Sequence, residues 1–429
     1  MASTDLHAKH ERAAAAYKPW PKVLLWFWAG SAAALVLTVL VGWLEYKAGW
    51  SQSQYAPLQY FNFSDLLEYR STFQLVHTAE FFHPPGSAVA YPPFGAAIFG
   101  LVYAFGNPVR VYLLIALIAL GGAVWGLRRA IVAYGLSPRT ASPFLVTLVL
   151  ASFPFWRMVP QGNIELFLWI FTAAGVWLYL RGHDDAAAIV WALAAAMKLY
   201  PVICLVLFLP RKKYRAFFIG VAVFVGATAA SLAYLGPSMA VAAKGSLGNV
   251  FGYQGVRADD WTVRELVSNH SWFMVVKILG RAVGLSSAAL TKPYYLCGAA
   301  LFAAVFFGRV RKMPVANQVM VVSLFMVLLP PISYFHTLAN LYAPWFILAF
   351  LAIRAAQAGV RIPGLHAAIL LFLPLFSSFS LYSYPRFSIY GGVVQSCVLT
   401  VLFVWGIWFP FAEPAVLLPV VKTVKTGAI

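Results

Sequence analysis

The sequence predicts an all-α polytopic membrane protein. Hydrophobic residues make up 62% of the 429 residues, and charged residues make up only 10%. Apolar runs of about 17 to 24 residues recur along the chain, and each can cross a hydrocarbon core of about 30 Å as a helix. The formal net charge of +18 falls in short clusters between these runs. Such clusters are typical of topology signals, so we do not expect nucleic acid as a partner.

The apolar runs predict about twelve membrane-spanning helices within a single integral-membrane domain that covers residues 1–429. The first run is too long for a signal-peptide core of about 7 to 15 residues, so we expect it to be retained. The predicted spans are 23–44, 88–106, 108–127, 142–156, 164–180, 186–209, 216–235, 293–308, 315–332, 338–354, 365–383 and 390–411.

The basic clusters predict which loops face the cytoplasm. These clusters are the N-terminal tail, residues 211–215, residues 309–312, and Lys422 with Lys425. The assignment requires that residues 272–288 do not cross the membrane. Lys277 and Arg281 interrupt that stretch, and a charge at mid-membrane is costly, so we expect an amphipathic surface helix there.

Three segments are then predicted to lie outside the cytoplasm. They are an external catalytic loop at 45–87, a long external loop at 236–292 and a short external turn at 333–337. The same parity places Arg128 and Arg129 outside, against the positive-inside rule. A re-entrant pair of segments within 88–163, where five prolines interrupt the runs, would remove this conflict.

The first external loop carries "FNFSDLLEYR", in which Asp65, Glu68 and Tyr69 share one face of a predicted helix at 65–75. Two interpretations are open. Asp65 caps the helix while Glu68 reaches back to it, or Ser64 is the cap and the Asp65 carboxylate remains available in the first turn.

Other candidate residues gather near the same membrane face. Tyr91 precedes Pro92 and Pro93, which are typical of a helix start. Lys198 lies about twelve residues inside its predicted span, where a lysine usually faces a polar cavity or an anion. His336 lies in the last external turn. The remaining candidates are Gln161 and Asn163 in "VPQGNIELF", and Asn269 and Arg281 in the long external loop.

Several short motifs, in their order and spacing, resemble glycosyltransferase family 87. They are "DLLEYR", "YPPFGAAIF", "QGNIELFL", "AAAMKLYPVICLVLFLPRKKYRA", "SNHSWFMVVKILGR" and "PPISYFH". The resemblance implies a GT-C-type fold with external loop helices, in the bacterial inner membrane. It implies transfer of a sugar, with mannose favoured, from a polyprenyl-phosphate carrier to a lipid-linked or glycan acceptor on the extracytoplasmic face.

The resemblance also implies a role for each matching position. Asp65 would be the catalytic base of an inverting displacement. Lys198, His336 and Arg281 would hold or neutralise the donor phosphate, with His336 counted among the catalytic residues. Residues that shape the pocket would be Tyr69, Arg70, Tyr91, Gln161, Asn163 and Asn269. A monophosphate leaving group has no pyrophosphate for a metal to bridge, so neither a metal nor another cofactor is expected.

Two other functions remain open at this stage. A lipid-carrier transporter without chemistry would use Lys198 to hold a phosphate during translocation, and would show two superposable halves or alternating access. A membrane scaffold would use the polar residues as caps and surface contacts, and would have no pocket linking Asp65 with Lys198. The external clustering of polar residues favours the enzyme over both.

Overall fold

The computed structural model describes residues 62–84, 87–133, 152–376 and 391–412, with five single positions nearer the N-terminus. The predictions for residues 23–44, for most of 142–156, and for Lys422 and Lys425 therefore lie outside the described residues.

The regular elements of the described part are helices. The α-helices are α1 (Ser64–Leu67), α2 (Pro93–Tyr103), α3 (Pro108–Ala133), α4 (Phe153–Gln161), α5 (Glu165–Leu180), α6 (Asp184–Met197), α7 (Tyr214–Leu235), α8 (Met239–Ala258), α9 (Val263–Ser268), α10 (Trp272–Ala282), α11 (Ser287–Gly308), α12 (Val315–Leu328), α13 (Tyr342–Gln357), α14 (Leu365–Phe376) and α15 (Gly391–Trp408). Short 3-10 helices are Thr72–Leu75, Ala79–Phe82, Tyr200–Phe208, Val310–Lys312 and Phe335–Leu341.

Five segments are long and apolar enough to span a membrane: Pro108–Val132, Tyr214–Leu235, Ser287–Lys312, Phe335–Ala356 and Gly391–Trp408. Four shorter apolar helices accompany them: α2, α5, α12 and α14. The predicted all-α membrane architecture is confirmed, while the number of twelve spans stays a prediction.

Helices α5 and α6 form an antiparallel pair that defines two ends of the molecule. Gly182 turns the chain with φ +78°, and Gly175 allows close packing, because a Cβ there would lie 2.2 Å from the Trp191 indole nitrogen. The upper end, as we call it, holds Glu165 and Met197, where α5 begins and α6 ends. The lower end holds the turn at Gly182, about 24 Å away along the 16 residues of α5.

The predicted span 186–209 is a hairpin in the structure, not one crossing. Helix α6 ends at Met197, Lys198 is extended with φ −144° and ψ 134°, and a 3-10 helix returns from Tyr200. At the lower end, Arg211 donates to the Tyr179 carbonyl at 3.2 Å. Pro201 suits this break, because it lies in the first turn of the returning 3-10 helix, where a missing N–H costs no hydrogen bond within the helix. Lys198 therefore lies at the apex of a hairpin.

Helix α2 lies across the upper end, so the predicted span 88–106 is also corrected. A Cβ at Gly95 would meet the Met197 carbonyl at 2.8 Å, and one at Gly100 would lie 3.5 Å from the Tyr234 hydroxyl. These partners are at the upper ends of α6 and α7. The helix has 11 residues, about 16 Å, which is too short to cross the hydrocarbon core. Pro93 begins it, as the sequence predicts.

This placement of α2 removes the conflict over Arg128 and Arg129. Helix α3 begins at the upper end, where the Tyr112 hydroxyl donates to the Asn163 carbonyl at 3.0 Å. Arg128 follows sixteen residues later, about 24 Å along the helix. Both arginines therefore lie toward the lower end, together with Arg211.

The long loop 236–292 folds into α8, α9 and α10 and the beginning of α11. Asn269, His270 and Ser271 are at most 2% exposed, so this part of the predicted external loop is buried inside the protein. Ser333, Phe335 and Thr337 of the predicted external turn are also buried. The His270 N–H donates to the Ser333 carbonyl at 2.9 Å, which joins the two segments at the upper end.

Candidate functional site

Asp65 lies in a four-residue helix and is not its N-cap, and neither is Ser64. The N-cap residue is Phe63, which has φ +48° and makes no side-chain capping hydrogen bond. The predicted helix 65–75 is interrupted after Leu67 and continues as a separate 3-10 turn. Glu68 is exposed, while Asp65 is partly buried and faces the loop after α4.

Asn163 holds the Asp65 carboxylate in place. Its amide nitrogen donates to Asp65 Oδ2 at 2.5 Å, and its amide oxygen accepts from the Glu165 N–H at 2.9 Å. The amide orientation follows from these two bonds, because only the nitrogen can donate. Gly162 permits α1 to pack closely against the segment that carries Asn163. It has φ +69°, and a Cβ there would lie 2.5 Å from Leu66 Cβ. One asparagine thus accepts the hydrogen bond from the first N–H of α5 and orients Asp65.

Two tyrosines form an aromatic wall beside Asp65. The rings of Tyr69 and Tyr91 meet edge to face at 5.8 Å. Burial raises the pKa of Tyr69, and the nearby Glu68, Tyr253 and Asp65 raise it further, so the phenol is neutral at physiological pH. Neither ring therefore adds charge beside the carboxylate.

Lys198 lies behind this wall and forms a buried ion pair with Glu165. Lys198 Nζ is 2.5 Å from Glu165 Oε1, and the lysine side chain is 21% exposed, whereas the glutamate is fully buried. The Tyr200 hydroxyl donates to the other carboxylate oxygen at 2.7 Å, and Asn340 donates to it at 3.4 Å. Lys198 Nζ also lies 5.8 Å from the centre of the Tyr91 ring. The ammonium is thus neutralised by a carboxylate in this structure.

A second group of residues lines a small cavity next to Asn163. Its volume is about 30 Å³, and its walls are Arg157, Gln161, Ser268, Tyr334, Phe335 and His336. Arg157 is only 7% exposed. Gln161 belongs to this wall and Asn163 holds Asp65, and two residues span at most about 7 Å. The Asp65 carboxylate and the His336 cavity therefore flank the same three-residue segment.

A family model gives the identification. Glycosyltransferase family 87 matches residues 81–331, which is more than half of the chain. The chain belongs to glycosyltransferase family 87. A search of curated proteins returned no significant match. The matched region includes α2, the Gln161–Asn163 segment, the Lys198 hairpin and the loop helices α8 to α10 of this family 87 glycosyltransferase.

Asn269 organises the upper end of the glycosyltransferase without lining the cavity. Its amide nitrogen donates to Glu265 Oε1 at 2.6 Å and to the Pro331 carbonyl at 2.8 Å. Its amide oxygen accepts from the Ser333 N–H at 3.2 Å. These bonds fix the turn that carries His336, so Asn269 positions the site through the backbone.

His270, next along the chain, is a neutral buried histidine. Its Nε2 lies 3.0 Å from Ser333 Oγ and 3.1 Å from Thr337 Oγ1. Burial, together with the neighbouring His336, lowers its pKa to about 3. It therefore stays uncharged at physiological pH and holds the turn at 333–337 through hydrogen bonds.

Two predicted pocket residues lie elsewhere. The Arg70 guanidinium donates to the Gly106 carbonyl at 3.4 Å, at the end of α2. Arg281 lines a larger cavity of about 340 Å³ with Trp261, Leu266, Ile278 and Ala282. None of these lining residues also lines the His336 cavity, and none is among the residues around Asp65, which are Asn163, Tyr69 and Tyr91.

Sequence reasoning missed Arg157, Tyr253 and Arg257 as parts of the site. Arg157 was hidden in an apolar stretch, although a charged residue beside prolines at a span end is itself a signal. Tyr253, on α8, lies within electrostatic range of Tyr69 and Tyr91. The Arg257 guanidinium lies 5.3 Å from the Tyr253 ring centre. Arg257 also interacts electrostatically with Tyr334 in the wall of the His336 cavity, so α8 lies close to both Tyr69 and that cavity.

Proposed function

We propose that this glycosyltransferase moves a sugar, with mannose favoured, from a polyprenyl-phosphate carrier to a lipid-linked or glycan acceptor. The transfer would invert the anomeric configuration, with Asp65 as general base. The observation that carries the proposal is the Asp65 carboxylate, held by Asn163 beside a cavity that contains a buried arginine and a histidine. Membership of a glycosyltransferase family favours chemistry over carrier translocation.

Asp65 suits the role of base for geometric reasons. Asn163 occupies Oδ2, and Oδ1 accepts a longer bond, 3.4 Å, from Ser64 Oγ. The Asn163 bond orients the carboxylate. As the acceptor oxygen attacks the anomeric carbon, Asp65 takes its proton while the carrier phosphate leaves from the opposite face.

Arg157 and His336 are the groups we assign to the donor phosphate. A guanidinium can hold two phosphate oxygens at once, and both side chains line the same cavity. Lys198 already neutralises Glu165, so we assign it a positioning role behind Tyr91. The cavity holds about 30 Å³, the volume of roughly one water molecule, so a phosphate requires the surrounding side chains to move.

The distribution of charge supports an extracytoplasmic site. Asp65, Asn163 and the His336 cavity lie at the upper end. The lower end carries Arg128, Arg129 and the basic cluster at 211–215, where Arg215 is 83% exposed. Cationic loops are retained in the cytoplasm, which would place the upper end outside it.

The experiment that tests the function is transfer from radiolabelled polyprenyl-phosphate-mannose to membrane lipids by the purified, reconstituted protein. We expect labelled glycolipid with this donor and none with a nucleotide-linked mannose. Polyprenyl-phosphate carriers of other sugars form the second arm and test the preference for mannose. Label from the nucleotide sugar alone would contradict the proposed donor class.

The Asn163 amide should set the pH dependence of transfer. Asn163→Asp places a second carboxylate beside Asp65, which raises the pKa of Asp65 because like charges disfavour ionisation. The base works when deprotonated, so the acidic limb of the kcat/KM profile should move upward by about one pH unit or more.

The matched control for this change is Gln74→Glu, which adds the same charge at an exposed position of the same loop. Its acidic limb should coincide with that of the unmodified protein. An unchanged acidic limb in Asn163→Asp, with transfer retained, would argue against Asp65 as the base.

A further inference from the structure

The larger cavity lies apart from the Asp65 group and has a chemistry of its own. Its walls are Trp261, Leu266, Ile278, Arg281 and Ala282, and its volume is about 340 Å³. That volume is within the range of small-molecule sites, about 300 to 1,000 Å³. One cation and one indole therefore border a space that is otherwise aliphatic.

Two cations of α10 lie close to the Trp261 ring, and Arg281 is the one that lines the cavity. The Arg281 guanidinium lies 4.3 Å from the Trp261 ring centre, and Lys277 Nζ lies 4.9 Å from it. Lys277 Nζ donates a hydrogen bond to the Asp260 backbone carbonyl at 2.7 Å. The indole thus holds the guanidinium at the cavity wall.

The charge of Arg281 has no carboxylate partner in the part of the chain that the structure describes. The ion pairs found there, within 4.0 Å, join other residues. Arg281 is exposed at the open side of the cavity, and a guanidinium without a carboxylate partner there favours an anionic ligand that it can bind through charge-assisted hydrogen bonds.

The surface beside the cavity is apolar. Leu279 is 63% exposed, Val283 is 73% exposed and Leu285 is 49% exposed, and all three lie around the end of α10. Such a surface, next to a tryptophan and an arginine, is typical of the boundary between lipid headgroups and acyl chains. The ligand should therefore carry an anion and an apolar tail together.

We propose that this cavity binds the phosphate headgroup of an anionic phospholipid, with its acyl chains lying on the Leu279, Val283 and Leu285 surface. The site is separate from the donor and acceptor site. Helix α9 stands between the two, since Leu266 lines this cavity and Ser268 lines the cavity of His336. A bound lipid would brace α9 from the side opposite the candidate active site.

The test is native mass spectrometry of the full-length protein with phosphatidylglycerol, and with phosphatidylcholine as the neutral comparison. We expect one tightly retained phosphatidylglycerol, whose affinity falls about tenfold in Arg281→Gln, as the loss of one charge-assisted hydrogen bond implies. Ala282→Phe fills the cavity without changing charge and should give the same loss. Arg215→Gln removes one exposed charge and should leave retention unchanged.

Three outcomes would overturn the proposal: equal retention by all variants, equal retention of phosphatidylcholine, or displacement of the lipid by glycerol 3-phosphate at similar concentration. The last would indicate a site for soluble phosphate. Lipid retention is measured without sugar transfer, so its failure and that of the proposed function are distinguishable.

Discussion

Asp65→Asn should lower sugar transfer by about 10²- to 10⁴-fold, which is the usual contribution of a positioned general base. The change keeps the shape of the side chain and its position beside Asn163. It removes the group that accepts the proton of the acceptor hydroxyl. The measurement is the initial rate of label transfer from the polyprenyl-phosphate donor, at saturating donor, in reconstituted vesicles.

Glu68→Gln is the matched control, because it removes one carboxylate from the same short segment at an exposed position. Its rate should lie within a factor of about two of the unmodified protein, since surface substitutions rarely disturb a folded site. Both variants should elute from size-exclusion chromatography as the unmodified protein does. Full transfer by a well-folded Asp65→Asn would remove Asp65 from the mechanism.

Lys198→Met should destabilise the protein by about 3–5 kcal/mol, because it leaves the fully buried Glu165 carboxylate without its cation. The hydrogen bonds from Tyr200 and Asn340 remain but carry no full charge. The double variant Lys198→Met with Glu165→Gln should recover most of the loss, because its buried amide is neutral. The measurement is the unfolding midpoint in detergent for both single variants and the double.

An exposed ion pair provides the comparison. Lys213 Nζ lies 3.1 Å from Asp184 Oδ2, and the lysine side chain is 54% exposed. Such pairs are typically worth about 0–1 kcal/mol, so Lys213→Met should barely move the midpoint. Additive losses in the Lys198 and Glu165 variants, with no recovery in the double, would contradict the buried ion pair.

The role of Lys198 determines how its loss would affect catalysis. If Lys198 bound the donor phosphate directly, its loss would weaken donor binding and raise KM. A residue that braces Tyr91 and the start of α5 acts through the geometry of Asn163, because Glu165 is the first residue of α5 and its N–H binds the Asn163 amide. We therefore propose the second role for Lys198 and assign the phosphate to Arg157 and His336.

Sequence patterns predicted several local features that the structure bears out. The proline pair at 92–93 starts a helix at Pro93, and the span predicted at 164–180 is a helix from Glu165 to Leu180. The motifs that contain Asp65, Tyr69, Tyr91, Asn163 and Lys198 are spread over about 130 residues, and side-chain contacts link these residues in one region. Helix starts and side-chain chemistry depend mainly on neighbouring residues, so a short motif can predict them.

By itself, the sequence determined the helical membrane class, the family resemblance and the set of residues that carry the candidate chemistry. Only the tertiary structure decided that residues 184–208 turn back at Lys198, that α2 lies across the upper end, and that Arg157 joins His336 in one cavity. The reason is physical. An apolar run has the same hydropathy whether it crosses the membrane or folds back, and the exposed backbone at a break is tolerated only when other helices supply partners. The partners of this break include Glu165, which pairs with Lys198, and Asn340, which binds Glu165. Both are distant from Lys198 in sequence, and only the fold brings them together.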